Sequence, residues 1–323
     1  MGMRAVASLG LFAAPLLVAS GFAQQGAAPL PDPLASARAL LASDQFKQCE
    51  DSLHGYIAAH TTSADAHFLL GYVLFREQKA KESLAEFTEG AKYRHPHAEE
   101  LKTVASDYVL LGDYSDADTW FTAVTAETPS DANAWYLLGR TRYNENFFEP
   151  AVAAFQRALE LHPQYVEAEN NLGLCLKELD KPNEAKAAFQ AAIDWQGRTP
   201  LDAQPFLNLG SLLAEEGDLE RAIPYLEKAV AITPNNPKTH EELGTAYQAQ
   251  ANLTKAQAEL ERAVALAPDS SGLHFKLGQL YRKQGAMESA RHEFDICARL
   301  NSTHSSNGTP NPYLPLVPVP HPR

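Results

Sequence analysis

The sequence predicts an all-α solenoid, a row of antiparallel helix pairs laid one against the next. Three observations predict it. A Leu-Gly marker recurs, with its glycine at Gly71, Gly139, Gly173, Gly210, Gly244 and Gly278, at steps of 68, 34, 37, 34 and 34 residues; Ala105 stands where the double step hides a marker. Fixed offsets from each marker carry small, bulky and small residues at spacings of four and three, which fall on one helix face. Turn residues and prolines punctuate the columns at the same period.

The chain of 323 residues opens with a short basic stretch to Arg4, an apolar run from Ala5 to Ala19 and small residues around Ala23. This reads as a secretory signal peptide over 1–23, cleaved after Ala23, and the mature product is expected to be periplasmic or secreted. The apolar run is broken by Ser8, Gly10 and Pro15 and is shorter than the roughly 20 residues that span a bilayer, so no integral membrane span is expected in the mature chain. Residues 24–33 read as a linker. Leu40, Cys49, Leu53 and Tyr56 place a degenerate helix pair over 34–63.

Seven units follow, at 64–97, 98–131, 132–165, 166–202, 203–236, 237–270 and 271–302. Twelve residues after each marker stands Ser83, Ala117, Ala151, Ala185, Ala222, Ala256 or Ala290, and four further on Phe87, Phe121, Phe155, Phe189, Leu226, Leu260 or Phe294. A small residue at the marker lets the first helix of a pair approach the second, and the phenyl or leucyl group fills the space between them. Turns are expected at Gly112-Asp113, Asp180-Lys181-Pro182, Gly217-Asp218 and Gln284-Gly285. Pro129, Pro163, Pro234 and Pro268 end second helices, because proline lacks an N–H and clashes with the preceding turn. Three extra residues at Trp195 to Leu201 predict a longer loop after the fourth unit.

In these columns the chain resembles the tetratricopeptide-repeat family; Trp135, Leu138-Gly139, Ala151, Phe155, Ala158 and Pro163 match its pattern closely. The resemblance implies a right-handed superhelix with a concave groove, lined by first helices, that binds peptide or protein segments. Carried over position by position, the groove residues would be Phe68, Tyr72, Tyr136, Arg140, Tyr143, Asn144, Asn170, Lys177, Lys238, Gln248, Phe275 and Arg282. Arg140 between two tyrosines suits a carboxylate, with the rings against a peptide.

A formal charge of −13 without any Lys/Arg-rich run disfavours nucleic acid as a partner. No catalytic motif, metal or cofactor is expected. His240 and His292 each precede a glutamate, yet the place of a second zinc-binding histidine is held by Gly244 and Ile296. Cys49, Cys175 and Cys297 fall in distant units, too far apart for a bridge, and read as small buried residues. Residues 303–323 form a proline-rich tail, in which Tyr313, Leu314, Leu316 and Val317 either cover the end of the last unit or reach a partner. The functional expectation is a non-catalytic scaffold for a protein or peptide partner. Its alternatives are a substrate-recruiting subunit of an envelope transferase or protease, and a self-associating structural protein.

Overall fold

The computed structural model describes residues 32–306. The leader, most of the linker and the tail from 307 onward lie outside the described residues. Sixteen helices and no strand occur among those described, in eight pairs. The first pair is α1 (Ala35–Ala42) and α2 (Phe46–Ala59), followed by α3 (Ala64–Arg76) with α4 (Ala80–Ala91), and α5 (Ala98–Leu111) with α6 (Tyr114–Glu127). The middle of the array holds α7 (Ala132–Asn144) with α8 (Phe148–Leu161), and α9 (Val166–Glu178) with α10 (Pro182–Trp195). It closes with α11 (Gln204–Glu215) and α12 (Leu219–Ile232), α13 (Pro237–Ala249) and α14 (Leu253–Leu266), and α15 (Ser271–Gln284) and α16 (Met287–Ser306).

The marker column is where the two helices of a pair meet. A Cβ added at Gly71, Gly139, Gly173, Gly210, Gly244 or Gly278 would stand 2.5–2.9 Å from the side chain of Phe87, Phe155, Phe189, Leu226, Leu260 or Phe294 respectively. Glycine is required there by close approach rather than by backbone angle. The phenyl groups of Phe121, Phe155 and Phe189 are buried to 1% exposure or less and join the alanine columns in the apolar clusters of the middle units.

The turn inside each pair is equally regular. Seven residues after each marker the backbone is left-handed, at Gln78, Gly112, Asn146, Asp180, Gly217, Ala251 and Gly285, with φ between 57° and 85°. This ends the first helix and aims the chain back. The second helices then start on side-chain caps where the sequence allows: Asp113, Asp218 and Asn252 accept from the backbone N–H three residues on. Ala251 is the one alanine in the left-handed set, where an L side chain without a hydrogen-bonding group is strained. Ala251→Gly is expected to raise stability by about 0.5–1 kcal/mol in urea unfolding, the strain relieved outweighing glycine's greater freedom in the unfolded chain.

Three buried histidines repeat at one place in their units. The Nδ1 of His67, His240 and His274 lies 2.7, 2.6 and 2.6 Å from Glu86, Glu259 and Glu293, while Nε2 faces the carbonyls of Thr61, Pro234 and Pro268 at 3.3, 3.0 and 2.9 Å. Each ring staples a first helix to its partner and to the loop before it. These nitrogens are occupied by structure, and among the described residues no three His, Cys, Asp or Glu gather as a metal would need. Cys49 and Cys175 are free and fully buried, and burial pushes the Cys175 thiol up to about 12. Cys297 is free but only half-buried, which departs from the expectation of a buried small residue.

Two further departures have local causes. Helix α16 runs on to Ser306, past the expected boundary at 302, because the column that carries Pro129, Pro163, Pro234 and Pro268 holds Ser302, which keeps its N–H. The three-residue insertion forms the loop between α10 and α11, and Gln196 fixes it: its Oε1 accepts from the N–H groups of Leu201 and Asp202 at 3.1 and 2.8 Å, and its Nε2 donates to the Asp202 carbonyl at 3.1 Å. Among the described residues no helix is long and apolar enough to cross a membrane.

Candidate protein-binding surface

First helices of neighbouring pairs touch directly, α3 with α5, α7 with α9, α9 with α11 and α11 with α13. The array therefore curves toward them, and their outer side chains form its inner face. Polar bridges cross this face between helices: Asn208 donates to Asn170 at 2.8 Å, Lys177 pairs with Glu215 at 2.7 Å and Lys276 with Glu241 at 2.6 Å. Lys102 reaches Asp131 at 2.7 Å, from α5 to the cap of α7. These contacts hold the first helices at a set spacing, and they engage Lys102, Lys177 and Lys276.

Arg140 differs. It projects from α7, is exposed, and has its guanidinium carbon 5.7 Å from the centroid of the Tyr136 ring; no carboxylate among the described residues is within ion-pair distance. Tyr136 is half-buried, with Tyr165 at 5.0 Å and Phe155 at 6.1 Å between ring centroids. Desolvation pushes its hydroxyl above the ordinary tyrosine range, opposed by the charge of Arg140. Asn144, one turn beyond Arg140, is exposed. Tyr136, Arg140 and Asn144 thus make one continuous strip.

Other expected groove residues lie elsewhere. Phe68 is only 3% exposed, stacked on Phe87 at 5.8 Å under the Arg94 guanidinium; Gly90 opens the space for its ring, so it belongs to the core between α3 and α4. Asn170, at 6% exposure, is spent on the bridge to Asn208. Tyr143 turns its ring onto Phe148 at 5.6 Å, in the seam between α7 and α8 instead of beside Arg140. Lys177 and Lys238 are on the face but paired, the latter with Glu241 and Glu242 at 3.2 and 2.7 Å.

Tyr72, 36% exposed, lines an open concavity of about 370 Å³ at the N-terminal end with Arg38, Leu41, Asp65 and Glu99. At the other end Gln248 is half-buried and its carbonyl accepts from Lys283, Arg282 is exposed, and Phe275 is 46% exposed. The structure brings together Tyr136, Arg140 and Asn144, and leaves Tyr72 and the Phe275–Arg282 group as separate patches. The cross-helix bridges escaped the sequence reading, although Asn170 and Asn208, like Lys177 and Glu215, are 38 residues apart, one more than the unit that separates their columns.

Models of the tetratricopeptide repeat match residues 136–179, 164–235 and 213–274. Among curated proteins, Protein FlbA of Caulobacter vibrioides is 28% identical over 129 residues, covering 40% of this chain and 21% of that protein. The chain spans between 13% and 21% of the length of the curated relatives it matches. A tetratricopeptide repeat protein from Parabacteroides merdae superposes with a TM-score of 0.61 at 18% identity, over 82% of this chain and 97% of that one. PilW, a type IV pilus biogenesis factor, gives 0.57 at 21% identity, over 64% of this chain and 94% of its own. At those identities the likeness is one of fold. The chain is an all-α repeat array that carries tetratricopeptide repeats.

Proposed function

We propose that the chain is a non-catalytic scaffold of the cell envelope or exterior, and that its inner face holds a protein or peptide segment presenting a carboxylate to Arg140. The observation that carries this reading is the state of Arg140: an exposed guanidinium laid over the Tyr136 ring, with no carboxylate partner among the described residues, while Lys102, Lys177, Lys238 and Lys276 are paired, in a chain of net charge −13. Arginine's planar fork donates to a carboxylate at two points, and the Tyr136 ring beneath restricts its motion, so less freedom is lost on binding. Asn144 adds a donor and an acceptor along the same strip. The basic and apolar leader read from residues 1–23 supports the compartment.

The test is a random peptide library selected on the immobilised full chain. Selected peptides are expected to carry Asp, Glu or a free C-terminus at a fixed place, and Arg140→Glu is expected to weaken them by about 1.5–3 kcal/mol, at least tenfold, with helicity unchanged by circular dichroism. Equal binding to the Arg140→Glu variant would overturn recognition at the Arg140 strip.

A further inference from the structure

Among the described residues the last pair ends in an apolar strip that no following pair seals. In each of the six preceding units the bulky column, from Phe87 to Leu260, is at most 3% exposed because the next pair seals it, and the small column three residues on is fully buried at Val124, Ala158, Ala192, Ala229 and Ala263. In the last unit these columns are Phe294 and Cys297, and both are half-buried. Phe275, 5.7 Å from Phe294 between ring centroids, is 46% exposed. Among the described residues no helix follows α16, so no next pair lies on this side of it as one does in the earlier units.

We propose that Tyr313, Leu314, Leu316 and Val317 of the same chain cover it, as an extended segment running back along α16. The direction is that of every earlier unit, where the chain leaving a second helix turns and lays the next first helix on this face. The reach agrees. From Phe294 to Ser306 is 12 helical residues, about 18 Å, and from Ser306 to Tyr313 is seven residues, about 22 Å at the rise of a proline-rich extended chain. Tyr313 then comes level with Phe294, and Leu314, Leu316 and Val317 continue toward Ala290. Residues 307–320 contain no Asp, Glu, Lys or Arg, so no charge is desolvated by the contact. Pro310, Pro312, Pro315, Pro318 and Pro320 remove backbone donors, which suits a segment that ends the stack instead of templating another layer. The inference is independent of what the inner face holds.

Cys297 reports on it. The full chain is treated with iodoacetamide and the label located by peptide mass spectrometry, with buried Cys49 and Cys175 as slow internal references. Leu314→Asp/Leu316→Asp in the full-length chain is expected to speed modification of Cys297 by about tenfold, with unchanged helicity and a monomeric mass by light scattering, since thiol modification follows exposure. Deletion of 307–323 is expected to do the same. Equal rates in all three chains overturn the proposal. So does protection in the full chain that fades on dilution as the mass halves, which would mean that a second copy covers the strip. If the truncated chain loses its helicity, the double variant decides alone.

Discussion

Asp107→Asn is expected to stabilise the folded chain by about 4 kcal/mol at pH 8, and by far less at pH 4. Asp107 lies two residues beyond a marker, in a column otherwise filled by Val73, Thr141, Cys175, Leu212, Ala246 and Leu280, and it is fully buried. Its Oδ2 is 2.6 Å from the Ser83 hydroxyl, which is itself 2.8 Å from the Gly71 carbonyl, and its Oδ1 has no partner. A hydroxyl has one proton. If Ser83 donates to Gly71, the bond to Asp107 needs the proton on the acid. Desolvation, partly opposed by the Ser83 bond, pushes the Asp107 carboxyl up to about 7.

No charged neighbour relieves it: burial and the Ser83 bond alone set its shift, and several charges on the helices around it are engaged elsewhere. Glu86 of α4 faces His67, Asp65 of α3 and Glu100 of α5 pair with Arg94, Lys102 of α5 pairs with Asp131 and Glu99, and Arg76 of α3 pairs with Asp44. Asp118 of α6 pairs with Arg142. The native chain therefore holds a proton that the unfolded chain releases near pH 4, and wild-type stability falls as pH rises from about 4 to 7 before levelling off. Asparagine has no such proton. Urea unfolding of both chains between pH 4 and 8 should give curves that diverge with rising pH; parallel curves would mean that Asp107 is ionised in the fold.

The second large effect is at the marker. Phe189→Ala is expected to cost about 3–5 kcal/mol, since a fully buried phenyl group leaves a cavity between α9 and α10. Gly173→Ala is expected to cost about 1–3 kcal/mol by the opposite fault, crowding. Its new Cβ would stand 2.5 Å from Cε1 and 2.7 Å from Cδ1 of Phe189, a ring at 0% exposure with no room to withdraw. The same contact underlies both costs, so they should not add. Gly173→Ala combined with Phe189→Leu is expected to be at least about 1 kcal/mol more stable than the sum of its single changes. Additive costs in that cycle would separate the two positions.

The fold was legible because each repeat states the same packing problem. Glycine opposite phenylalanine, a turn seven residues later and alanine at twelve can be read as columns, and the 2.5–2.9 Å approaches show why the columns exist. The surface was less legible. A column fixes which side of a helix a residue occupies, yet not where its side chain turns: Tyr143 bends to Phe148 and Phe68 drops over Gly90, while Arg140 stays exposed over Tyr136. Asp107 carried a readable signal, a charge in a column that is otherwise uncharged. The continuation of α16 was readable too, from Ser302 in the place of a proline.

Since each helix pair presses only on the pairs beside it, the chain is mechanically a set of stiff blocks coupled in series. A rotation of a few degrees at every junction sums along the row, so the two ends of the inner face can separate or close without any single core being opened. The junctions bridged by Asn170–Asn208, Lys177–Glu215 and Lys276–Glu241 are the firmer hinges of such a row. A long partner is then clasped by bending that is shared among all junctions, and a short one is held by a single stretch with the rest of the row left straight.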